Sequence, residues 1–302
     1  MSKRKRDSRP MREMSTASPV DDAQADEPPL DQPTPDEPVS PPGAQAGAAT
    51  TPRRTRHVVC YAHRGARAHQ PENTLAAFEL AFNLGADAIE CDVQRSRDGR
   101  LVIIHDGTVD RTTDGTGPVA EQRFAELRTL NAGARWRQQQ LIPTLDETIE
   151  LVARRDGRLN LEIKGESDVE CLATAEAIEP VLRALPEDVR SRLLVSSFAH
   201  PAVALLKRQL PWLRVALLYG DEWRGADLLA PALAVGAEAI HPAVRLVTPD
   251  LIARTHAAGL AVNVWTANRR GLIRRLIAWG ADGIFSDYPE RVVAAREAAE
   301  RR

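Results

Sequence analysis

The chain has 302 residues and a hydrophobic content of 43%, which is enough for one large α/β domain or two smaller ones. Its formal net charge of -2 creates no overall field that would attract nucleic acid or an anionic membrane, so we expect neither as a partner. The sequence has no apolar run long enough for stable membrane insertion and no apolar signal-peptide core, which predicts a cytoplasmic location. Nothing in the pattern indicates an oligomeric state.

Residues 1–55 have the composition of a disordered tail. Ten of the 21 prolines lie here, together with a basic start at Lys3–Arg6 and almost no clusters of aliphatic residues. Such a segment cannot bury enough apolar area to offset the entropy lost on ordering. We therefore predict a disordered, proline-rich tail over 1–55 and a folded domain over 56–302.

From residue 58 onward, strand and helix patterns alternate. Apolar runs of strand composition begin at residues 58, 87, 159, 192, 213, 237, 260 and 283. Helix patterns occupy 73–84, 146–154, 168–184, 201–210, 225–235, 249–258 and 268–279, and a last one begins at 289. An irregular segment at about 107–140, with a short helical piece near 119–130, interrupts this rhythm after the second strand.

Eight strands, each followed by a helix, over about 235 residues predict a (β/α)8 TIM barrel with a small insertion after the second strand. The alternative is a doubly wound open sheet, but no glycine-rich phosphate loop follows the first strand to favour it. The three cysteines, Cys60, Cys91 and Cys171, lack metal-site or disulfide spacing, and we interpret them as small buried apolar residues.

Two acids and a histidine stand close together in the second strand and its continuation. Glu90 and Asp92 are one residue apart, so in an extended strand both carboxylates point to the same face, and Cys91 points to the other. The tight Asp98-Gly99 turn and a second apolar run at 101–104 predict a hairpin that brings His105 back toward the same end.

Other reactive side chains fall at the carboxyl ends of neighbouring strands, where barrel enzymes place their chemistry. The first strand ends in His63 and Arg64, and the third ends in Glu162 and Lys164, which share a face. We expect these groups to converge at one mouth of the barrel. A core could not hold them uncompensated, because unpaired buried charges are costly.

Three carboxylates without a cysteine suit a hard divalent cation such as Mg²⁺ or Ca²⁺, with zinc as a less favoured alternative. Such a cation beside Arg64 and Lys164 would make a positive pocket that suits a phosphate group. His63 and His105 could then act as a general acid and base pair. These parts together indicate phosphodiester hydrolysis, in which a nucleophile loses a proton and an alkoxide leaving group gains one.

The sequence resembles the glycerophosphodiester phosphodiesterase family over almost the whole chain after the tail. The motifs that carry the resemblance are AHRG (62–65), PENT (71–74), GADAIECDV (85–93), LVIIHD (101–106), DRTTDGTG (110–117), IPTLDE (142–147), LEIK (161–164), SSF (196–198), VNVWT (262–266) and GADGIFSDYP (280–289).

The resemblance implies a TIM-barrel catalytic domain that releases glycerol 3-phosphate and an alcohol from a small-molecule glycerophosphodiester. It assigns a divalent metal, Mg²⁺ or Ca²⁺, to Glu90, Asp92 and Glu162. His63 and His105 match the acid/base histidines, with no indication of which is the acid. The 107–140 segment matches a small insertion beside the active site.

Substrate-binding positions follow from the same resemblance. Arg64 and Lys164 match phosphate contacts, and Trp265 matches an aromatic wall of the substrate pocket, with Phe198 as a further aromatic candidate. Glu72 either assists the site or caps the helix that follows it.

Three other residues are candidates for lesser roles at the site. Asp106 is expected to orient the loop or the neighbouring histidine. Asp287 is expected to shape the final turn. His241 is a possible leaving-group contact.

Two alternative functions remain compatible with the sequence. One is a lysophospholipase D-like activity, which would use the same residues but would need an apolar groove for an acyl chain. The other is a barrel that binds a phosphodiester without hydrolysing it.

Overall fold

The computed structural model describes residues 57–301 of the chain. The predicted tail at 1–55, including its basic start, lies outside the described residues, and the domain boundary at residue 56 stays a prediction. Within the described part of the chain, no helix is both long enough and apolar enough to cross a membrane.

Nine strands form one sheet. They are β1 (Val59–Ala62), β2 (Ala88–Arg95), β3 (Leu101–Ile103), β4 (Arg158–Ile163), β5 (Leu193–Ser197), β6 (Arg214–Tyr219), β7 (Ala239–Pro242), β8 (Ala261–Val264) and β9 (Gly283–Ser286).

Eight of these strands form a closed parallel barrel. The hydrogen-bonded order runs from β1 through β9, β8, β7, β6, β5 and β4 to β2, and β1 also pairs with β2. β3 lies outside this ring and pairs antiparallel with β2, with Val93 opposite Ile103. The predicted (β/α)8 barrel and the predicted hairpin are both confirmed.

The helices lie between the strands and cover the outside of the barrel. They are α1 (Leu75–Asn83), α2 (Phe124–Leu127), α3 (Leu145–Arg154), α4 (Asp168–Ala184), α5 (Glu187–Arg190), α6 (His200–Gln209), α7 (Leu229–Val235), α8 (Pro249–Ala257), α9 (Arg270–Trp279) and α10 (Pro289–Glu300). Several begin after a hydroxyl side chain that accepts a backbone N–H, as Thr74 does for α1 and Ser167 for α4.

Most predicted element ends are within two residues of the observed ones, but the helix expected from residue 225 begins only at Leu229. Gly225 has a φ of +80°, and the Ala226 N–H donates to the carbonyl of Trp223, so the chain turns here. The sequence prediction also missed α5, a single turn that follows Pro186.

Side chains of the barrel strands alternate between two environments. In β2, Ile89, Cys91 and Val93 belong to the main hydrophobic core, while Glu90 and Asp92 point to the opposite face. The three cysteines are free and buried, as predicted.

The segment between β3 and α3 has a small hydrophobic core of its own. Its buried members are Val102, Ile104, Val109, Val119, Leu127, Ala132 and Ile142. Because β3 contributes to this cluster and also pairs with β2, the insertion is fixed to the strand that carries Glu90 and Asp92.

The turn after β1 places two of the predicted site residues. Arg64 has a φ of +53° and Gly65 a φ of +80°, both in the left-handed region, which lets the chain reverse directly after the strand. A Cβ atom on Gly65 would lie 2.7 Å from the carbonyl carbon and the Cβ of Ala77 in α1. Only glycine therefore fits this close approach of strand and helix.

We expect Gly65→Ala to lower the free energy of unfolding by about 3 kcal/mol, because a left-handed alanine costs about 1 kcal/mol and the clash with α1 adds about 2. Gly99→Ala is the matched control: its φ is +81°, but nothing lies within 4 Å of the added Cβ. It should cost only about 1 kcal/mol. Urea unfolding of both variants measures the difference, and equal losses would contradict this account of Gly65.

Candidate active site

A cavity of about 230 Å³ lies at the carboxyl ends of the barrel strands. It is lined by His63, Arg64, Glu90, His105, Asn160, Glu162, Lys164, Phe198, Leu218, His241, Trp265 and Phe285. Eight of the nine predicted site residues are in this set. The ninth, Asp92, is buried directly beside it, in a cluster with Glu90 and Glu162.

The three carboxylates face one another. One oxygen of each of Glu90, Asp92 and Glu162 lies within 4.8 Å of the others, and all three residues are buried. β2 and β4 are paired in register with Asp92 opposite Glu162, which explains why residues so far apart in sequence converge. This geometry brings together the three acids that the sequence pattern singled out.

Burial and mutual repulsion change the acidity of this cluster. Burial, together with the charges of Asp92 and Glu162, raises the pKa of Glu90 well above its ordinary value. Burial also raises the pKa of Glu162, although Lys164 opposes the change. Burial disfavours ionisation of Asp92 too, but Lys164 and Arg64 outweigh it and lower the pKa of Asp92 to about 2.

Two cations partly compensate the acids. Lys164 Nζ lies 2.5 Å from Glu162 Oε1 and 3.5 Å from Asp92 Oδ1. The Arg64 backbone N–H donates to Glu90 Oε2 over 2.8 Å, and its guanidinium Nε lies 3.3 Å from Asp92. Asn73 adds a neutral donor, since its side-chain amide lies 2.7 Å from Asp92 Oδ2.

The cluster still has unused acceptor capacity. Glu90 Oε1 is buried without a hydrogen-bond partner among residues 57–301, and Asp92 Oδ1 and Glu162 Oε1 share the single ammonium group of Lys164. Buried carboxylate oxygens left in this way are costly unless a cation is shared between them. Oxygen donors alone, converging from two strands, fit a hard divalent ion. The residues present therefore fit a metal such as Mg²⁺ or Ca²⁺.

His63 is held by a carboxylate. Its Nδ1 lies 2.7 Å from Asp287 Oδ1, just beyond the end of β9. Burial and the nearby Arg64 lower the pKa of His63 to about 4, although Asp287 opposes the change. The ring is therefore neutral near pH 7, with Nδ1 engaged by Asp287 and Nε2 left for another partner.

His105 is held in the same way. Its Nδ1 lies 2.7 Å from Asp106 Oδ1. The backbone of this loop is fixed by Gln94, whose side-chain amide donates to the carbonyls of Ile104, His105 and Asp106 over 3.0, 2.9 and 2.7 Å. The interpretation of Asp106 as a residue that orients its neighbouring histidine agrees with this geometry.

Asp287 has a larger part in the site than the sequence interpretation gave it. The sequence indicated only a role in forming the turn. In the structure, Asp287 is buried against His63 and accepts a hydrogen bond from the Asn268 side chain over 2.9 Å. A signal was present, since Asp287 lies two residues after the inward-facing Phe285 and therefore continues the same alternation. Gln94 carried the same signal, since it continues the alternation of Glu90 and Asp92 in β2. Asn73 carried none, because its partner Asp92 becomes a neighbour only on folding.

Aromatic residues form another part of the wall. Phe198 and Trp265 pack edge to face with ring centroids 5.5 Å apart, and Lys164 Nζ lies 5.6 Å from the Phe198 centroid. The Trp265 indole N–H donates to the carbonyl of His241, which fixes the ring. His241 is fully buried and paired with Asn263, and burial lowers its pKa to about 3, so it is a neutral part of the floor.

A larger depression of about 590 Å³ lies beside α7 and α8. Its wall contains Asp227, Asp250 and Arg254 but no histidine and no converging carboxylates. The smaller cavity at the strand ends is therefore the better candidate for chemistry.

Comparisons with known proteins agree with this geometry. Residues 63–291 match the Glycerophosphoryl diester phosphodiesterase family. A protein named glycerophosphodiester phosphodiesterase from Caldanaerobacter subterraneus is 38% identical over 77% of this chain and 95% of its own length. One of the same name from Bacillus altitudinis is 34% identical over 78% of this chain and 97% of its own.

A solved structure gives the same result. The phosphodiesterase of Oleispira antarctica, in complex with the product sn-glycerol-3-phosphate, superposes with a TM-score of 0.74 at 33% identity, covering 80% of this chain and 97% of that one. The family match contains all nine predicted site residues, together with Asp106 and Asp287. The chain belongs to the glycerophosphoryl diester phosphodiesterase family.

Proposed function

We propose that this chain hydrolyses glycerophosphodiesters to glycerol 3-phosphate and an alcohol, with a divalent metal and a two-histidine acid/base mechanism. One observation carries the proposal: two histidines, each fixed at Nδ1 by an aspartate, line the same cavity as the carboxylate cluster and two cations. The relatives named glycerophosphodiester phosphodiesterase and the product complex of the Oleispira protein support the same substrate class.

Glu90, Asp92 and Glu162 would hold the metal, which is Mg²⁺ or Ca²⁺ because the donors are carboxylate oxygens. When bound, such an ion stabilises negative charge on phosphoryl oxygens. Arg64 and Lys164 line the same cavity and contribute positive charge toward the phosphate.

The histidines would move the protons at Nε2, since Nδ1 of each ring is engaged by its aspartate. His63 enters unprotonated, with its pKa at about 4, and so accepts the proton of the attacking water, whose oxygen forms the new bond to phosphorus. His105 would then donate to the departing alkoxide. The aspartates Asp287 and Asp106 accept the Nδ1–H of each ring and so leave Nε2 free for the reaction. Nε2 of the neutral His63 ring accepts a proton, and Nε2 of the His105 ring donates one from the imidazolium form.

The size of the cavity favours a small substrate over a lysophospholipid. At about 230 Å³ it is below the usual range for drug-sized ligands, so it suits a glycerol phosphate with a small head group better than an acyl chain. The two oriented histidines favour turnover over binding alone. The cytoplasmic location stays a prediction.

We expect His63→Ala and His105→Ala each to lower kcat for glycerophosphocholine by at least about 100-fold, because each removes one proton-transfer group. His69→Ala is the matched control: His69 pairs with Glu290 at the surface and does not line the cavity, so its rate should equal that of the wild type. Release of glycerol 3-phosphate measures all three. An unchanged kcat in either site variant, with circular dichroism as in the wild type, would remove that histidine from the mechanism.

Metal binding should stabilise the protein more at pH 8 than at pH 5. The folded-state pKa of Glu90 is raised, so the metal-free protein loses stability as pH rises from the ordinary carboxyl value through that raised pKa. A bound cation offsets this loss of stability only when the Glu90 carboxylate is ionised. The stabilisation is measured as the rise in Tm when Mg²⁺ or Ca²⁺ is added to chelator-treated protein. In Glu90→Gln, this rise should depend less on pH. An equal rise at both pH values would contradict the assignment.

A further inference from the structure

Glu72 lies in the loop between β1 and α1 and binds three arginines. Its side chain is only 10% exposed. Arg64 Nη1 donates to Oε1 over 3.0 Å, and Arg67 Nη2 lies 3.3 Å from Oε2. Arg111 binds both oxygens, over 2.7 and 3.0 Å. Burial disfavours its charge, but Arg64 and Arg111 hold the pKa of Glu72 well below its ordinary value, so it is an anion.

This arrangement decides between the two interpretations of Glu72 from sequence. The N-cap of α1 is Thr74, whose hydroxyl accepts the Ala77 N–H, so the side chain of Glu72 is not needed as a cap. Glu72 is also absent from the residues that line the cavity, and so is Arg111. Any effect of either residue on the reaction must act through other side chains.

Two of the three arginines lead to the aspartates that hold the histidines. Arg111 donates from Nε and Nη2 to Asp106, over 2.6 and 3.0 Å, and Asp106 holds His105. Arg67 Nη1 lies 3.7 Å from Asp287, which holds His63. The Glu72 carboxylate is thus connected through Arg111 and Arg67 to the two aspartates that orient the histidine rings.

Of these two connections, the one through Arg111 to His105 is the stronger. Arg111 comes from the insertion and has a 45% exposed side chain, yet it makes four hydrogen bonds to two carboxylates in the planar geometry that arginine favours. An exposed ion pair ordinarily adds little to stability. Here, however, one guanidinium makes two hydrogen bonds to each of two carboxylates, and this arrangement fixes the geometry of all three side chains. Arg111 therefore connects the insertion to the active site.

We propose that Glu72 and Arg111 form a positioning pair for the phosphodiester reaction, in which Arg111 links the insertion to Asp106 and so fixes the orientation of His105. This inference rests on the proposed function, since it requires His105 to transfer a proton. A misplacement of a reacting group by about 1 Å can cost about 100-fold in rate. Arg111 contributes to kcat and leaves substrate affinity nearly unchanged, because it does not line the cavity, whereas Glu72 also binds Arg64, which does.

The test is Arg111→Ala in the full chain with its metal, assayed with glycerophosphocholine. We expect kcat to fall about 10- to 100-fold with KM changed less than about threefold. Arg111→Lys should recover only part of the loss, because lysine cannot bind two carboxylates in a planar fork. Added guanidinium ion should raise kcat of the alanine variant. Arg111→Ala and Asp106→Asn combined should lose less than the sum of the two single losses in activation free energy.

Arg128→Ala is the matched control. Arg128 lies on the same insertion and makes a bidentate pair with Glu147, over 2.9 and 2.9 Å. Within residues 57–301 it forms no hydrogen bond or ion pair with either histidine–aspartate pair. It should keep the wild-type kcat and should not respond to guanidinium. Comparing thermal unfolding of the two variants separates loss of fold from loss of orientation.

The outcomes separate this inference from the proposed function. If the wild type hydrolyses the substrate and His105→Ala does not, but Arg111→Ala keeps full kcat, the positioning role is wrong and the proposed function stands. A loss that guanidinium does not restore, and that Arg128→Ala shares, would also overturn it. If the wild type releases no glycerol 3-phosphate, the proposed function itself fails.

Discussion

Three carboxylates are buried together in this barrel beside the cations of Arg64 and Lys164, and the rest of the site depends on how that charge is balanced. If all are ionised, Glu90, Asp92 and Glu162 exceed Arg64 and Lys164 by one negative charge. A divalent cation would turn this into one positive charge, which matches the single negative charge of a phosphodiester. The unpartnered Glu90 Oε1, and the single ammonium that Asp92 and Glu162 share, are therefore consistent with a site built for a cation and an anionic substrate together.

The barrel provides the rigidity that this charge cluster needs. Paired parallel strands hold Glu90, Asp92 and Glu162 on the inner face, and their neighbours on the outer face pack into the main core. Carboxylates carried on a closed, hydrogen-bonded barrel cannot move apart to relieve their repulsion. Burial, together with the charges of Asp92 and Glu162, raises the pKa of Glu90, and burial raises the pKa of Glu162 against the opposing charge of Lys164.

Sequence patterns predicted those features that depend on neighbours in the chain. Strand alternation placed Glu90 with Asp92 and Glu162 with Lys164, and the count of strand and helix units predicted the barrel. Alternation could also have indicated Asp287, but its partner His63 lies 224 positions away and becomes a neighbour only when β9 pairs with β1.

The irregular insertion was less predictable. It contains little periodic pattern, so nothing in the sequence indicated that Arg111 turns back to bind Glu72 and Asp106. Long-range ion pairs of this kind depend on the path of a loop, and loop paths are set by tertiary packing such as the small core around Val109 and Leu127. Sequence patterns identified reactive side chains but not the side chains that hold them in place.

The central claim is that a metal-dependent phosphodiesterase site lies at the carboxyl ends of the strands. The most direct measurement is release of glycerol 3-phosphate from glycerophosphocholine by protein stripped with chelator and then resupplied with Mg²⁺ or Ca²⁺. The account predicts that stripping abolishes release and that one of these ions restores it. Full release by the stripped protein, or none with any divalent ion, would contradict it.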